Sequence, residues 1–213
     1  MASDKGVAEW TSKIREFGFC YVDGCPVSPE KTQELLERIA FIRPTHYGGF
    51  YDFTADLSSK DTAYTSLALQ AHTDTTYFSD PAGLQMFHLL SHTDGSGGES
   101  LLVDGFAAAK ILEKEAPSSF KVLSQKPIRT HSSGNEGVSI EPLIFEPVFK
   151  SAGESLYRIR WNPSDRATMD SWLDDKSLED WYEAAWRWSE ILRRPSVEYW
   201  EQLRPGRPLG AFT

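Results

Sequence analysis

A chain of 213 residues can bury one sizeable hydrophobic core but is short for two full domains. Its formal net charge is −9, and its 22 lysines and arginines are dispersed, so no basic stripe favours nucleic acid or anionic lipid and the expected partner is small or cationic. Two cysteines, Cys20 and Cys25, are too few to staple such a chain and point to structural thiols in a reducing, cytoplasmic setting.

No apolar run approaches a membrane span, and Met1-Ala2-Ser3-Asp4-Lys5 shows neither a signal-peptide core nor an Arg-rich transit face. Trp10, Ile14 and Phe17 recur at helical spacing and predict a helix over 10–17 that Gly18 ends. Residues 18–23 are rich in strand formers and close on the turn pair Asp23-Gly24. Ser28 then caps a helix that Pro29 opens, with Leu35, Leu36 and Ile39 inward, stopping before Pro44. From 45 to 70 the pattern is loop-like but aromatic, with His46, Tyr47, Tyr51, Phe53 and Tyr64 among glycines and acids. Such rings either cover the edge of a core or surround a cation with their π faces.

The stretch Ala71-His72-Thr73-Asp74-Thr75-Thr76-Tyr77-Phe78 reads as the end of a strand, which would put His72 and Asp74 on one face. An imidazole and a carboxylate presented together supply two positions of the two-histidine, one-carboxylate triad that holds non-haem Fe(II). Taken alone, the same pair is also what a surface hydrogen bond looks like.

Asp80-Pro81-Ala82-Gly83 is a turn before a buried strand over 84–90, where His88 is expected to be a satisfied core histidine. Gly97-Gly98 precedes a strand over 99–104 and no Lys-Ser follows, which excludes a phosphate loop. Helices are expected over 105–115 and from Pro117, and strands over 128–131, 142–149 and 155–161, with Pro142 and Pro147 sending the middle one to a sheet edge. Ser177 with Asp180 suggests the cap of a long amphipathic helix carrying Leu178, Trp181, Ala185, Trp188 and Leu192, its tryptophans read as core. Pro195 breaks it, 197–203 continues the packing, and 204–209 reads as a turn with no strand after it.

Several stretches together resemble one family: Arg43-Pro44-Thr45-His46-Tyr47-Gly48, Asp61-Thr62-Ala63-Tyr64-Thr65, His72-Thr73-Asp74-Thr75-Thr76-Tyr77, Gly83-Leu84-Gln85-Met86-Phe87-His88, Leu101-Leu102-Val103-Asp104-Gly105-Phe106 and Arg160-Trp161-Asn162. The family is that of the Fe(II)- and 2-oxoglutarate-dependent gamma-butyrobetaine and trimethyllysine dioxygenases, with the trimethyllysine branch the nearer. The resemblance implies a mainly β fold with flanking helices, a double-stranded β-helix or jelly roll. Residues 1–213 would be a partial catalytic domain, without the N-terminal small domain and the C-terminal strands. It implies Fe(II) at His72 and Asp74, 2-oxoglutarate held with help from the Ser100 hydroxyl, and ascorbate as reductant.

Tyr47, Tyr51 and Tyr64 fall on the family's cage for a trimethylammonium group, with Asp61 beside them and Asn162 orienting the substrate. Tyr51 stands where many relatives have Trp. The implied activity is hydroxylation of N6-trimethyllysine at C3. Relatives continue beyond Arg204-Pro205-Gly206 to a second iron histidine and an arginine for 2-oxoglutarate, neither of which has a counterpart before Thr213. Two alternatives therefore stand beside it, a truncated non-catalytic or incomplete product and gamma-butyrobetaine hydroxylation. The resemblance also leaves room for a homodimer and for a mitochondrial setting of longer relatives. His131 is weighed as a substitute ligand against an ordinary structural role.

Overall fold

The computed structural model describes residues 3–54, 68–92, 97–134, 137–169 and 174–213. In chain order the helices are α1 Asp4–Phe17, α2 Pro29–Glu37, α3 Gly105–Glu115, α4 Pro117–Gln125 and α5 Asp175–Leu192. The strands are β1 Phe19–Tyr21, β2 Leu84–Phe87, β3 Glu99–Val103, β4 Ser132–Ser133, β5 Ser139–Ile140, β6 Phe149–Ala152, β7 Ser155–Ile159, β8 Glu198–Gln202 and β9 Leu209–Phe212. Antiparallel strands mixed with helices are what the jelly-roll expectation requires. The chain divides into two compact units, one of residues 1–68, 82–100 and 201–213 and one of 69–81 and 101–200.

In the first unit, α1 starts earlier than its apolar spacing predicts, because Ser3 Oγ accepts from the Gly6 N–H and Asp4 sits in the first turn. Gly18, at φ 83, ends it in the left-handed region that glycine enters without steric cost. Trp10 and Ile14 are buried by this helix, and Ser28 caps α2 as its Ser-Pro pair predicts.

β9 corrects an expectation. Instead of a turn leading nowhere, residues 209–212 form the central strand of a three-stranded antiparallel sheet, with Leu209 opposite both Tyr21 of β1 and Phe87 of β2. Leu-Gly-Ala-Phe has no β-branched residue and is too short to show a period, so nothing local announces a strand. Tertiary packing supplies the reason: a Cβ on Gly210 would lie 3.3 Å from Trp10 Cζ2, so the bare backbone lets the indole lie close against the strand.

β2 is shorter than the buried strand expected over 84–90, and both its ends, Leu84 and Phe87, are exposed. His88 just beyond it is satisfied, as anticipated. Its Nδ1 pairs with Thr32 Oγ1 at 2.6 Å, while Nε2 accepts from the Gly206 N–H at 3.0 Å, and burial lowers the imidazole pKa.

In the second unit, α3, α4 and α5 pack around Val148 and Phe149 at the start of β6. The Phe149 ring stacks on Phe120 at 5.1 Å and meets the Trp188 edge at 5.0 Å. Trp181 and Trp188 are core, as read, while Trp186 is 60% exposed. The cap of α5 differs from expectation: Asp174 Oδ1 accepts from the Ser177 N–H at 2.7 Å, so the helix begins ahead of Ser177, which becomes the donor. The strand expected over 128–131 reduces to isolated bridges, Ile128 with Glu146 and Thr130 with Arg166, and that over 142–149 to the Glu146 bridge and the first residue of β6, prolines 142 and 147 having removed ladder donors from it. β6 and β7 form a hairpin through Gly153 at φ 60, β4 pairs with β5, and β3 with β8. No helix among the described residues is long and apolar enough to cross a membrane.

Candidate active site

Residues 71–78 are not a strand, contrary to the sequence reading, yet His72 and Asp74 still converge. The cause is Thr73 between them. Its N–H donates to Trp161 O at 2.7 Å and its Oγ1 accepts from the Trp161 N–H at 2.9 Å, so both its backbone and its side chain are turned toward the residue group that follows β7. With Thr73 committed to that side, the His72 and Asp74 side chains on either side of it come together. His72 Nε2 lies 3.2 Å from Asp74 Oδ1, with the side chains 27% and 33% exposed.

His72 Nδ1 hydrogen-bonds to Gln70 O at 2.6 Å, which makes Nδ1 the protonated nitrogen and leaves Nε2 facing the carboxylate. The hydrogen bond to Asp74 raises the imidazole pKa; burial opposes this and the Gln70 carbonyl adds to it. Two donors about 2.1 Å from one ion at right angles stand about 3 Å apart, so this pair fits adjacent positions on a single metal. The Gln70 contact is the outer hydrogen bond that a ligating histidine needs to fix its ring. Among the described residues no group of three or more His, Cys, Asp or Glu side chains is placed to hold a metal. His131 does not complete one, since its Nδ1 engages Ser133 Oγ at 2.9 Å in an exposed position.

Sequence reasoning missed Asp165. Burial first, and then the Asp74 charge, raise its carboxyl pKa, and Oδ2 accepts from Thr76 Oγ1 at 2.6 Å. Asn162-Pro163-Ser164-Asp165 reads as an ordinary turn, and nothing in it signals proximity to a histidine some ninety positions earlier. Arg160 was read only as part of a motif. It is 7% exposed, pairs Nη1 with Glu146 Oε2 at 2.9 Å, and directs Nη2 at Thr76 O and at Phe78 O, the latter at 2.8 Å. Burial lowers its pKa, with Glu146 acting against that.

Arg160, Trp161 and Asn162 line an open cavity of about 280 Å³ together with Trp181, Tyr182 and Arg166. Asn162 is thus beside a space that could hold a small molecule, although its Oδ1 already accepts from the Ser164 N–H at 3.1 Å, capping a 3-10 turn at Pro163–Asp165. In the first unit Tyr47 and Tyr51 form an aromatic row, their ring centroids 6.4 Å apart, continued by Phe53 at 6.1 Å from Tyr51. Ser100 lies on β3, half-buried. Tyr64 and Asp61 lie outside the described residues.

Solved structures share this mixture of antiparallel strands and flanking helices. A putative alpha-ketoglutarate-dependent taurine dioxygenase from Burkholderia xenovorans covers the whole chain, over 74% of its own length, with a TM-score of 0.65 and 14% identity. A non-heme iron oxygenase, OrfP, solved in complex with Fe, matches 97% of the chain over 71% of its own length, with a TM-score of 0.62 and 15% identity. These likenesses define the fold, that of the TauD-like oxygenases. The model of the taurine catabolism dioxygenase TauD, TfdA family matches residues 1–208, and the chain belongs to that family.

Among curated relatives, trimethyllysine dioxygenase of Neurospora crassa is 50% identical over 98% of the chain and 52% of its own length. The human trimethyllysine dioxygenase, named as mitochondrial, is 40% identical over 98% of the chain and 50% of its own length. Gamma-butyrobetaine dioxygenase of a Pseudomonas strain is 31% identical over 97% of the chain. The chain spans about half the length of the curated relatives it matches.

Proposed function

We propose that the chain is part of the catalytic domain of an Fe(II)- and 2-oxoglutarate-dependent dioxygenase that hydroxylates N6-trimethyllysine at C3. The observation that carries the reading is the 3.2 Å approach of His72 Nε2 to Asp74 Oδ1, with the opposite imidazole nitrogen bound to Gln70 O. Identity supports the substrate: 50% and 40% to trimethyllysine dioxygenases against 31% to a gamma-butyrobetaine dioxygenase. His72 and Asp74 hold the metal, and the part of the curated relatives that this chain does not match is where a remaining protein ligand and a cation for the far carboxylate of 2-oxoglutarate would lie. Bound Fe(II) would supply oxygen activation coupled to decarboxylation of the co-substrate.

The chain's own residues bind and orient. The Ser100 hydroxyl donates to a 2-oxoglutarate carboxylate. Tyr47 and Tyr51, with Tyr64 and Asp61, receive the trimethylammonium group through their ring faces and a counter-charge. Asn162 orients the amino-acid end from the rim of its cavity. Because three aromatic faces can hold a cation with no hydrogen bond to it, the methylated ammonium is favoured over a bare one, which keeps a stronger hydration shell.

The test measures 2-oxoglutarate decarboxylation and hydroxylated product for trimethyllysine, gamma-butyrobetaine and lysine. It uses the 213-residue chain and the same chain joined to the remaining half of the Neurospora relative. Turnover of trimethyllysine by the joined protein, lost in His72→Ala, is expected. A joined protein that prefers gamma-butyrobetaine would overturn the substrate assignment, and one that is folded yet binds no metal would overturn the class.

A further inference from the structure

We propose that Arg160 is a positioning residue for the His72 and Asp74 side chains, acting through the strained turn that follows them; the inference rests on reading that pair as a metal site. Thr75, directly after Asp74, has φ 55. A β-branched residue adopts that value only where its surroundings over-determine it. The chain reverses there, with the Phe78 N–H donating to Thr75 O at 3.0 Å.

Arg160 holds the turn from inside. Its Nη2 donates to both Thr76 O and Phe78 O, and Thr130 Oγ1 adds a second donor to Thr76 O at 2.9 Å. The guanidinium is itself fixed by Glu146 at 2.9 Å and nearly excluded from solvent. A planar fork held at one nitrogen presents the other in a set direction, which a lysine ammonium on a flexible stem cannot do.

The geometry divides the labour on either side of Thr73. His72 is fixed from its N-terminal side by Gln70 and by the Thr73 anchor on Trp161. Asp74 has the Thr73 anchor before it and the left-handed Thr75 after it. If Thr75 relaxed into an ordinary conformation, the intervening peptide would rotate and swing the Asp74 carboxylate away from Nε2. Arg160 prevents this by holding the Thr76 carbonyl inside the turn and the Phe78 carbonyl at its end, although it touches neither metal-binding side chain.

The test compares Mn(II) binding, read by electron paramagnetic resonance of the free ion, and hydrogen exchange of the Phe78 amide. The proteins are wild type, Arg160→Met, Arg160→Lys, and Arg160→Met combined with Thr75→Asn, each joined to the remaining half of the Neurospora relative as above. Arg160→Met should weaken Mn(II) binding by about tenfold or more, the scale seen when outer-shell partners of metal ligands are removed. It should also deprotect the Phe78 amide, and Arg160→Lys should recover less than half of either loss. Adding Thr75→Asn, a residue that tolerates the left-handed region, should restore Mn(II) affinity in the Arg160→Met background.

Unchanged affinity in Arg160→Met overturns the proposal. So does a loss that simply follows a fall in thermal midpoint and is not rescued by Thr75→Asn, because that is the behaviour of a purely structural residue. If Arg160→Met does not fold, Arg160→Lys carries the comparison with the same expected direction. A joined wild-type protein that takes up no Mn(II) instead sinks the metal reading itself, and the proposal with it.

Discussion

Replacing Thr73 by Val removes one oxygen and almost no volume, and the structure says what that oxygen does. Thr73 Oγ1 is the acceptor for the Trp161 N–H at 2.9 Å, and Trp161 is 7% exposed. The Thr73 N–H to Trp161 O bond, at 2.7 Å, survives the change. The variant therefore leaves a single buried amide donor unsatisfied, which costs about 1–3 kcal/mol. For a chain of this size each kcal/mol lowers the thermal midpoint by about 2–4 °C, so the expected fall is about 2–12 °C. Thr73→Ser keeps the oxygen and loses only a methyl, and should cost about 1 kcal/mol or less.

The same bond turns Thr73 toward Trp161 and its neighbours away, so Thr73→Val should also weaken metal binding while Thr73→Ser should not. Thermal unfolding and Mn(II) titration of both variants give the comparison. If Thr73→Val matched wild type in midpoint and in metal affinity, the account of how His72 and Asp74 come to share a side would be wrong.

Asp74→Ala should abolish Mn(II) or Fe(II) binding measured by calorimetry, leaving one protein donor where two stood. Metal affinity should climb as pH rises through the raised pKa of His72, because the proton on Nε2 must leave before the nitrogen can ligate. The metal-free chain should show the reverse: stability from protonated His72 beside Asp74 is fully present below the ordinary histidine pKa and is lost as pH rises through the raised one. Urea titrations across that window, with and without Mn(II), should therefore run in opposite directions. Phe149→Ala should destabilise the second unit by about 3–5 kcal/mol in denaturant titration, because the ring is 1% exposed between Phe120 and Trp188. In the joined protein, Tyr51→Ala should weaken trimethyllysine binding by about 0.5–2 kcal/mol, or about 2- to 30-fold in Kd, with little effect on lysine.

What the sequence revealed and concealed follows from the range of the forces involved. α3 was legible to the residue, because Asp104 is followed by Gly105 and then by helix formers at regular apolar spacing until Pro117. Trp181 and Trp188 were legible as core from their spacing alone. The His72 and Asp74 convergence was anticipated, but through strand alternation, whereas the chain achieves it with Thr73 and Trp161, whose pairing no local pattern shows. β9 was illegible for a related reason: its four residues become a strand only because β1 and β2 each offer an edge and Gly210 admits Trp10. Asp165 and Arg160 reach the site region from far along the chain, and only the folded backbone makes them its neighbours.

The place of β9 between β1 and β2 sets an order of events. Phe19 and Ala211 face each other from nearly opposite ends of the described sequence, and no hydrogen-bonded ladder joins β1 to β2 directly. During synthesis the strands on either side of the sheet emerge long before the one that joins them. Until Gly210 arrives, the indole of Trp10 lacks the strand backbone it lies against, and the cluster that α1 forms with Val22 and Leu35 is open on that side. The loop to be closed is among the longest the chain can form, and its entropic cost falls before any of these contacts repay it. The second unit, where α3 is followed within two residues by α4, gathers much of its core from near neighbours. A nascent chain should therefore hold that unit folded while the first still waits, and it is in this interval that a chaperone would find an exposed tryptophan to grip.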